Sequence, residues 1–292
     1  MEYTIENDFL RVTVTCAGAQ IKSVLRKSDG VEHMWNGDPA VWKYHSPVMF
    51  PYAGKVKDGM IEIRGQKVEN APAHGFARTS THYLVQHTSD SVTLELLPNE
   101  ATNAIFPYCF RFLSNFKLEG DCLHHTLTVE NNDNEAFSFG IGYHPAFAIP
   151  FDSSHTLSDY EFRFSNLESP ICMEAPVGLI NGKTYSLGHN IQSIPVTDGM
   201  FDNGSHCMVN LSSHSLGIYE KGSSRAVVCD ISQFPYCLIW SQPGTPKFLC
   251  IEPWHSLPST EEGDYSWSNK SAAAILQPGT SWSTTMKTRF VR

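Results

Sequence analysis

The sequence predicts an all-β chain folded as one large antiparallel sandwich or barrel, and three observations carry that expectation. Apolar residues alternate with polar ones through most of the chain, the period-two signature of strands with one wet face. Turn-forming clusters separate these runs at short intervals. No long stretch combines a helical period with helix caps.

Taken in order, the first clear strand is "LRVTVT", where Leu10, Val12 and Val14 face one way and Arg11, Thr13 and Thr15 the other. Similar runs follow at "SVTLELL", "CFRFLSNFKL", "CLHHTLTVEN", "YEFRF", "LGIYE", "RAVVCD", "CLIWS" and "FLCIEP". The last run, "SWSTTMKTRFV", sets Trp282, Met286 and Phe290 on one face and Ser283, Lys287 and Arg289 on the other. The clusters "KSDG", "VKDG", "IRGQ", "NNDN" and two copies of "QPGT" mark the turns. Short helical turns are expected in "AVWKYHSP" and "PNEATNAIFP", and residues 151–205 read as long loops over a sheet edge. No repeat or linker divides the chain, so residues 1–292 are expected to form a single domain.

Composition sets outer bounds on function. The chain has 292 residues, 41% of them hydrophobic and 17% charged, enough for a sizeable core and unlike a disordered chain. The net charge is -9 with no basic cluster, which argues against a nucleic-acid partner. The N-terminal "MEYTIENDFLRVTV" has no basic segment followed by an apolar run, and no apolar stretch approaches the ~20 residues of a membrane span. A cytoplasmic protein is the expectation. The eight cysteines are scattered without a C-x-x-C pair and several fall in strand-like runs, so buried free thiols are expected rather than a disulfide framework.

Three residues stand out for chemistry. His74, His144 and Glu252 each fall at the end of an apolar run or in the loop after it, and proline follows two of them directly. Proline does not continue a central ladder, so these positions are expected where a strand leaves its sheet. Rigid strands can hold such side chains over a cleft. Two imidazoles and a carboxylate supply a base, an acid and a hydrogen-bond donor near neutral pH. By contrast, His124 and His125 are adjacent within one strand and point to opposite faces, which disfavours a shared metal site. A cupin-like metal site from His74, His144, Glu252 and His255 is disfavoured by their loose spacing.

"FPYAGKVKDG" (50–59), "HGFAR" (74–78), "GYHPAF" (142–147), "LIWSQPG" (238–244) and "IEPW" (251–254) occur in an order and spacing that resembles the aldose 1-epimerase family, more narrowly its LacX-like branch. The resemblance spans nearly the whole chain. It implies a supersandwich β-fold with a cleft on its concave face, and interconversion of the α and β anomers of an aldose without metal or organic cofactor. It implies Glu252 as the general base at the C1 hydroxyl, His144 as the general acid at the ring oxygen, and His74 as a sugar-binding donor. A monosaccharide or a sugar phosphate is the implied substrate. The acid–base pair is expected about 5–8 Å apart with the sugar between them, and a bell-shaped pH profile is expected with the carboxylate on the acid limb and the histidine on the other. Lys55 stands where the family commonly has an arginine for sugar hydroxyls. Either Asp198 or Asp202 could be the sugar-binding aspartate. Arg78 either recognises substrate or pairs with a buried acid, and Trp240 either stacks on the sugar or fills core. The alternative on the same fold is a carbohydrate-binding protein that has lost catalysis.

Overall fold

The computed structural model describes residues 1–292, and nearly every element is a strand in an antiparallel sheet. A four-stranded sheet is made, in chain order, by Glu2–Glu6, Leu10–Thr15, Gln20–Arg26 and Val31–Glu32. A nine-stranded sheet has Ser281–Val291 and Cys122–Asn131 at its centre and Ile191–Pro195 and Tyr83–His87 at its edges. The final strand buries Thr284, Met286, Thr288 and Phe290, one face of the expected alternation. His125 is buried and His124 is not, so the adjacent histidines do face opposite ways.

A third sheet, of eight strands, carries the site. Its order runs Thr184–Ser186, Ile171–Met173, His206–Val209, Tyr236–Trp240, Phe248–Trp254, Gly142–Tyr143 and Val48–Met49, with Ala146–Ala148 also paired to Phe248–Trp254. Along Phe248–Trp254, Leu249 and Ile251 point into the main core, where they join Ile218 and Val227 of the nine-stranded sheet. Because side chains alternate, Cys250, Glu252 and Trp254 face the other way. A second core cluster, rich in phenylalanine, lies around Phe50, Phe106, Phe110 and Phe139.

The structure departs from the sequence expectations in three places. Residues 151–205 are not mainly loop: they hold the nine-residue strand Tyr160–Glu168 and the short strands Ile171–Met173, Thr184–Ser186 and Ile191–Pro195. Three-residue strands are too short for alternation to register in sequence. "AVWKYHSP" forms a turn closed by the Trp42 N–H donating to Asp38 O, while "PNEATNAIFP" does hold one helical turn, Glu100–Asn103, capped by Asn99. Glu252 and Pro253 lie inside a strand rather than at its end. Proline is tolerated there because the neighbouring ladder is itself interrupted between Tyr143 and Ala146.

All eight cysteines are free thiols, six of them buried. No helix is long and apolar enough to cross a membrane.

Three buried histidines outside the cleft make the fold acid-sensitive. Burial lowers His33 and His125 to about 3 and His82 to about 4, against about 6.5 in the unfolded chain. Below that value the unfolded state takes up protons that the folded state refuses. Their contribution is complete above about pH 6.5 and drains as pH falls toward the folded values, by ~1.4 kcal/mol per pH unit for each histidine. The urea midpoint is therefore expected to fall steeply from pH 6.5 to 5; a midpoint that stays flat over that range contradicts the assignment.

Candidate active site

The pairing register sets the strand face from which the site is built. Trp240 pairs with Cys250, Leu238 with Glu252, and Tyr236 with Trp254. On the other side Gly142 pairs with Trp254 and Ala146 with Cys250. The same register carried through the interruption sets His144 opposite Glu252, and directly opposed residues share a face. The result is a grid of three rows: Trp240, Cys250, Ala146; Leu238, Glu252, His144; Tyr236, Trp254, Gly142. Gly142 is required in its row, because a Cβ there would stand 2.7 Å from the Trp254 ring.

His144 Nε2 lies 3.4 Å from Glu252 Oε2, and both side chains are almost fully buried. This is closer than the 5–8 Å expected, because adjacent strands rather than opposite cleft walls supply the pair. The 3.4 Å gap leaves no room for a ligand between them, so the pair presents both groups upward to the cleft. Tyr143 fixes the neighbouring backbone from the opposite face, its hydroxyl donating to the carbonyls of His125 and Thr284 at 2.8 and 2.9 Å. Trp42 stacks on the His144 ring at 5.0 Å and 27°, and Trp240 meets it edge-on at 5.3 Å.

"HGFAR" supplies one wall. His74 and Gly75 both have left-handed backbone, with φ of 66° and 69°. A Cβ on Gly75 would stand 2.2 Å from the Phe50 carbonyl oxygen, so only glycine permits this approach. The Gly54 N–H donates to His74 Nδ1 at 3.1 Å. That leaves Nε2 as the N–H donor of the ring. Arg78 reaches the same chamber with its guanidinium over the Tyr44 ring at 4.9 Å. No carboxylate pairs with it, and its buried Nε has no partner, so the buried-acid role is ruled out.

These residues enclose an inner chamber of about 210 Å³ lined by Trp42, His74, Arg78, His144, Ser205, Leu238, Trp240, Glu252 and Trp254. It opens into an outer chamber of about 530 Å³ that shares His74, Ser205, Leu238, Trp240 and Trp254. Lys55 lies in the outer chamber, its Nζ donating to the Val177 carbonyl at 2.8 Å. Asp202 lines the outer chamber while accepting from the Gly244 N–H at 2.8 Å; Asp198 is exposed and lines neither. His255 is turned away, bonded through Nε2 to Thr284 and packed on Phe234 and Trp282, so the four-residue metal cluster does not form. Sequence reasoning missed Trp42 and Ser205. An aromatic run outside any alternating pattern, "WKYH", was the available signal for the first; nothing marked the second.

Burial governs the charges. It pushes Glu252 well above the usual carboxylate range, opposed only by a hydrogen bond from Trp254. It lowers His144 to about 3, with the Arg78 charge adding to the effect. His74 is lowered too, by burial first and then by His144, Arg78 and Lys270. Burial thus moves the two titrations of the opposed pair apart, the carboxyl upward and the imidazole downward.

A sequence model of aldose 1-epimerase matches residues 1–289. The chain belongs to the aldose 1-epimerase family. It is 28% identical to the plasmid-encoded and chromosomal LacX proteins of Lactococcus lactis subsp. lactis, over 96% of this chain and 97% of each relative. Among solved structures it resembles a galactose mutarotase related enzyme from Lactobacillus acidophilus, with a TM-score of 0.94 and 27% identity over 99% of this chain and 97% of that one. It also resembles a galactose mutarotase-like protein from Lactobacillus casei, with a TM-score of 0.90 and 26% identity over all of both chains.

Proposed function

We propose that this member of the family is an aldose 1-epimerase in its own right, interconverting sugar anomers by acid–base ring opening and closure. The observation that carries the reading is the His144–Glu252 pair, 3.4 Å apart on the floor of a cleft sized for a sugar. The ring oxygen and the C1 hydroxyl are both bonded to C1, so one edge of the sugar offers both to the pair. Glu252 removes the hydroxyl proton as the C1–O5 bond breaks, and His144 protonates O5. The products are an open-chain aldehyde and a hydroxyl. Rotation about C1–C2 and the reverse proton transfers close the other anomer.

The charge shifts suit this exchange. A raised carboxylate pKa makes Glu252 a stronger base and a lowered imidazole pKa makes His144 a stronger acid. Ring opening moves the pair from its charged to its neutral proton arrangement, the one that burial favours. His74 Nε2–H and the unpaired Arg78 guanidinium provide donors for sugar oxygens, and Trp42, Trp240 and Trp254 offer faces or edges to the ring carbons. Anomer exchange followed by NMR over a panel of aldoses and hexose 6-phosphates tests the reading. Exchange above the water rate for at least one sugar is expected; none across the panel leaves the protein a carbohydrate-binding one.

Lys55 serves substrate binding in the outer chamber. Lys55→Ala is expected to raise KM up to about tenfold, the worth of one hydrogen bond, with kcat little changed, as when binding is lost equally from ground and transition states. Unmoved kinetics would make Lys55 a tether for the Val177 loop only. Lys55→Arg with unchanged sugar preference would make the departure from the family arginine neutral.

A further inference from the structure

The grid that places the acid–base pair also brings in a third group. Cys250 precedes Glu252 by two residues on the same strand face, and its Sγ, a His144 ring nitrogen and a Glu252 carboxylate oxygen all lie within 4.8 Å of one another. All three residues are buried. We infer that His144, Cys250 and Glu252 form a site for a soft divalent cation of the zinc or cadmium class, which shuts the cleft by occupying the place of the sugar's C1 hydroxyl.

The argument is geometric. Bonds of about 2.0–2.1 Å to nitrogen and 2.0–2.2 Å to oxygen, at a tetrahedral angle, put those two ligands about 3.4 Å apart. His144 Nε2 and Glu252 Oε2 already stand 3.4 Å apart. That gap is long for a charge-assisted hydrogen bond, which closes to about 2.7–2.9 Å. A sulfur ligand sits farther from the metal, at about 2.3 Å, and Cys250 stands in the next row of the grid, clustered with Ala146 and Phe248. Nitrogen, sulfur and carboxylate together select a borderline-soft ion over magnesium or calcium. Three protein ligands leave a fourth position facing the cleft, where a water completes the tetrahedral shell above the ion.

Charge balances as well. The ion takes a thiolate, a carboxylate and a neutral imidazole, so the Cys250 thiol proton and the proton held by the His144–Glu252 pair both leave to solvent on binding. Thiolate and carboxylate then neutralise a divalent ion, and this offsets the repulsion from Arg78 in the same chamber. Cys250 does not line the sugar chamber, so its loss is compatible with sugar turnover. Binding of the ion needs only the three side chains. Its inhibitory consequence rests on the epimerase reading above.

The test is a titration of the full-length protein with cadmium chloride, followed by the thiolate-to-cadmium charge-transfer absorbance, with zinc chloride calorimetry alongside. One equivalent is expected to bind with a thiolate band. Cys250→Ser is expected to abolish that band and weaken zinc binding at least about 100-fold, since loss even of an outer partner costs up to that much. Zinc is expected to stop anomer exchange in the wild type and leave it running in Cys250→Ser. An undiminished band in Cys250→Ser would overturn the site by assigning the thiolate to Cys109 or Cys122, the two cysteines outside the core. If Cys250→Ser fails to fold, X-ray absorption of the zinc-loaded Cys109→Ser/Cys122→Ser protein decides: one sulfur among the ligands upholds the site, and an all-nitrogen-and-oxygen shell overturns it. If the wild type exchanges no anomers, the epimerase reading fails while the cadmium band still reports on the site.

Discussion

Glu252→Gln is expected to lower kcat by about 10²–10⁴, the usual worth of a positioned general base, with sugar binding largely kept. Glutamine fills the same space and still hydrogen-bonds, so the change isolates proton removal. The variant should also be the more stable protein at neutral pH. Glu252 is pushed above its unfolded value of about 4.5 by burial, so the folded state keeps a proton that the unfolded chain gives up. Its contribution to stability is complete below about pH 4.5 and is lost as pH rises through the raised folded value. Glutamine has no such loss, and the Tm advantage of the variant should widen from pH 5 to 8. A folded variant with near wild-type kcat would make Glu252 a structural strand residue and the protein a sugar-binding one. A variant that loses activity while its Tm drops would point to damaged packing instead.

The residues of the site were legible in sequence to different depths. "HGFAR", "GYHPAF" and "IEPW" mark His74, His144 and Glu252 because glycine and proline beside each break the strand pattern in a recognisable way. The separation of His144 and Glu252 was not legible. It follows from a register between segments over a hundred residues apart, and pairing over that distance depends on the whole sheet rather than on local pattern. The same limit hid Cys250, which reads as one more core cysteine until its partners on the neighbouring strand are known. Trp42 was missed because a cleft aromatic held by a turn has no periodicity to show. The strands at the margins escaped for the opposite reason: Ile171–Met173 and Thr184–Ser186 alternate, but over too few residues to stand out from loop. Asp198 and Asp202 lie four residues apart in one turn-rich segment, and only the fold brings one into the cleft and leaves the other in solvent.

The pH profile is expected to invert the order read from sequence. Ordinary values would put the carboxylate on the acid limb and the histidine on the alkaline limb. Burial moves His144 down to about 3 and Glu252 well above its usual range, so the one-proton state of the pair fills the interval between those two displaced titrations. The limbs belong to the pair as a unit. The lower one marks uptake of a second proton and the upper one loss of the last. Wild-type kcat/KM, corrected for the water reaction at each pH, should be flat across that interval and fall above it as the pair loses its remaining proton and with it the acid. His144→Asn should cost about 10²–10⁴ in rate and reverse the sign of that limb. With the imidazole gone, the proton that Glu252 holds is the one that blocks it as a base, so the residual activity should rise with pH as the carboxylate ionises. A purely structural role for His144 would lower the rate without changing the direction of the limb. A His144→Asn profile that still falls on the alkaline side would mean that the proton lost there comes from outside the pair, and would remove His144 from the role of acid.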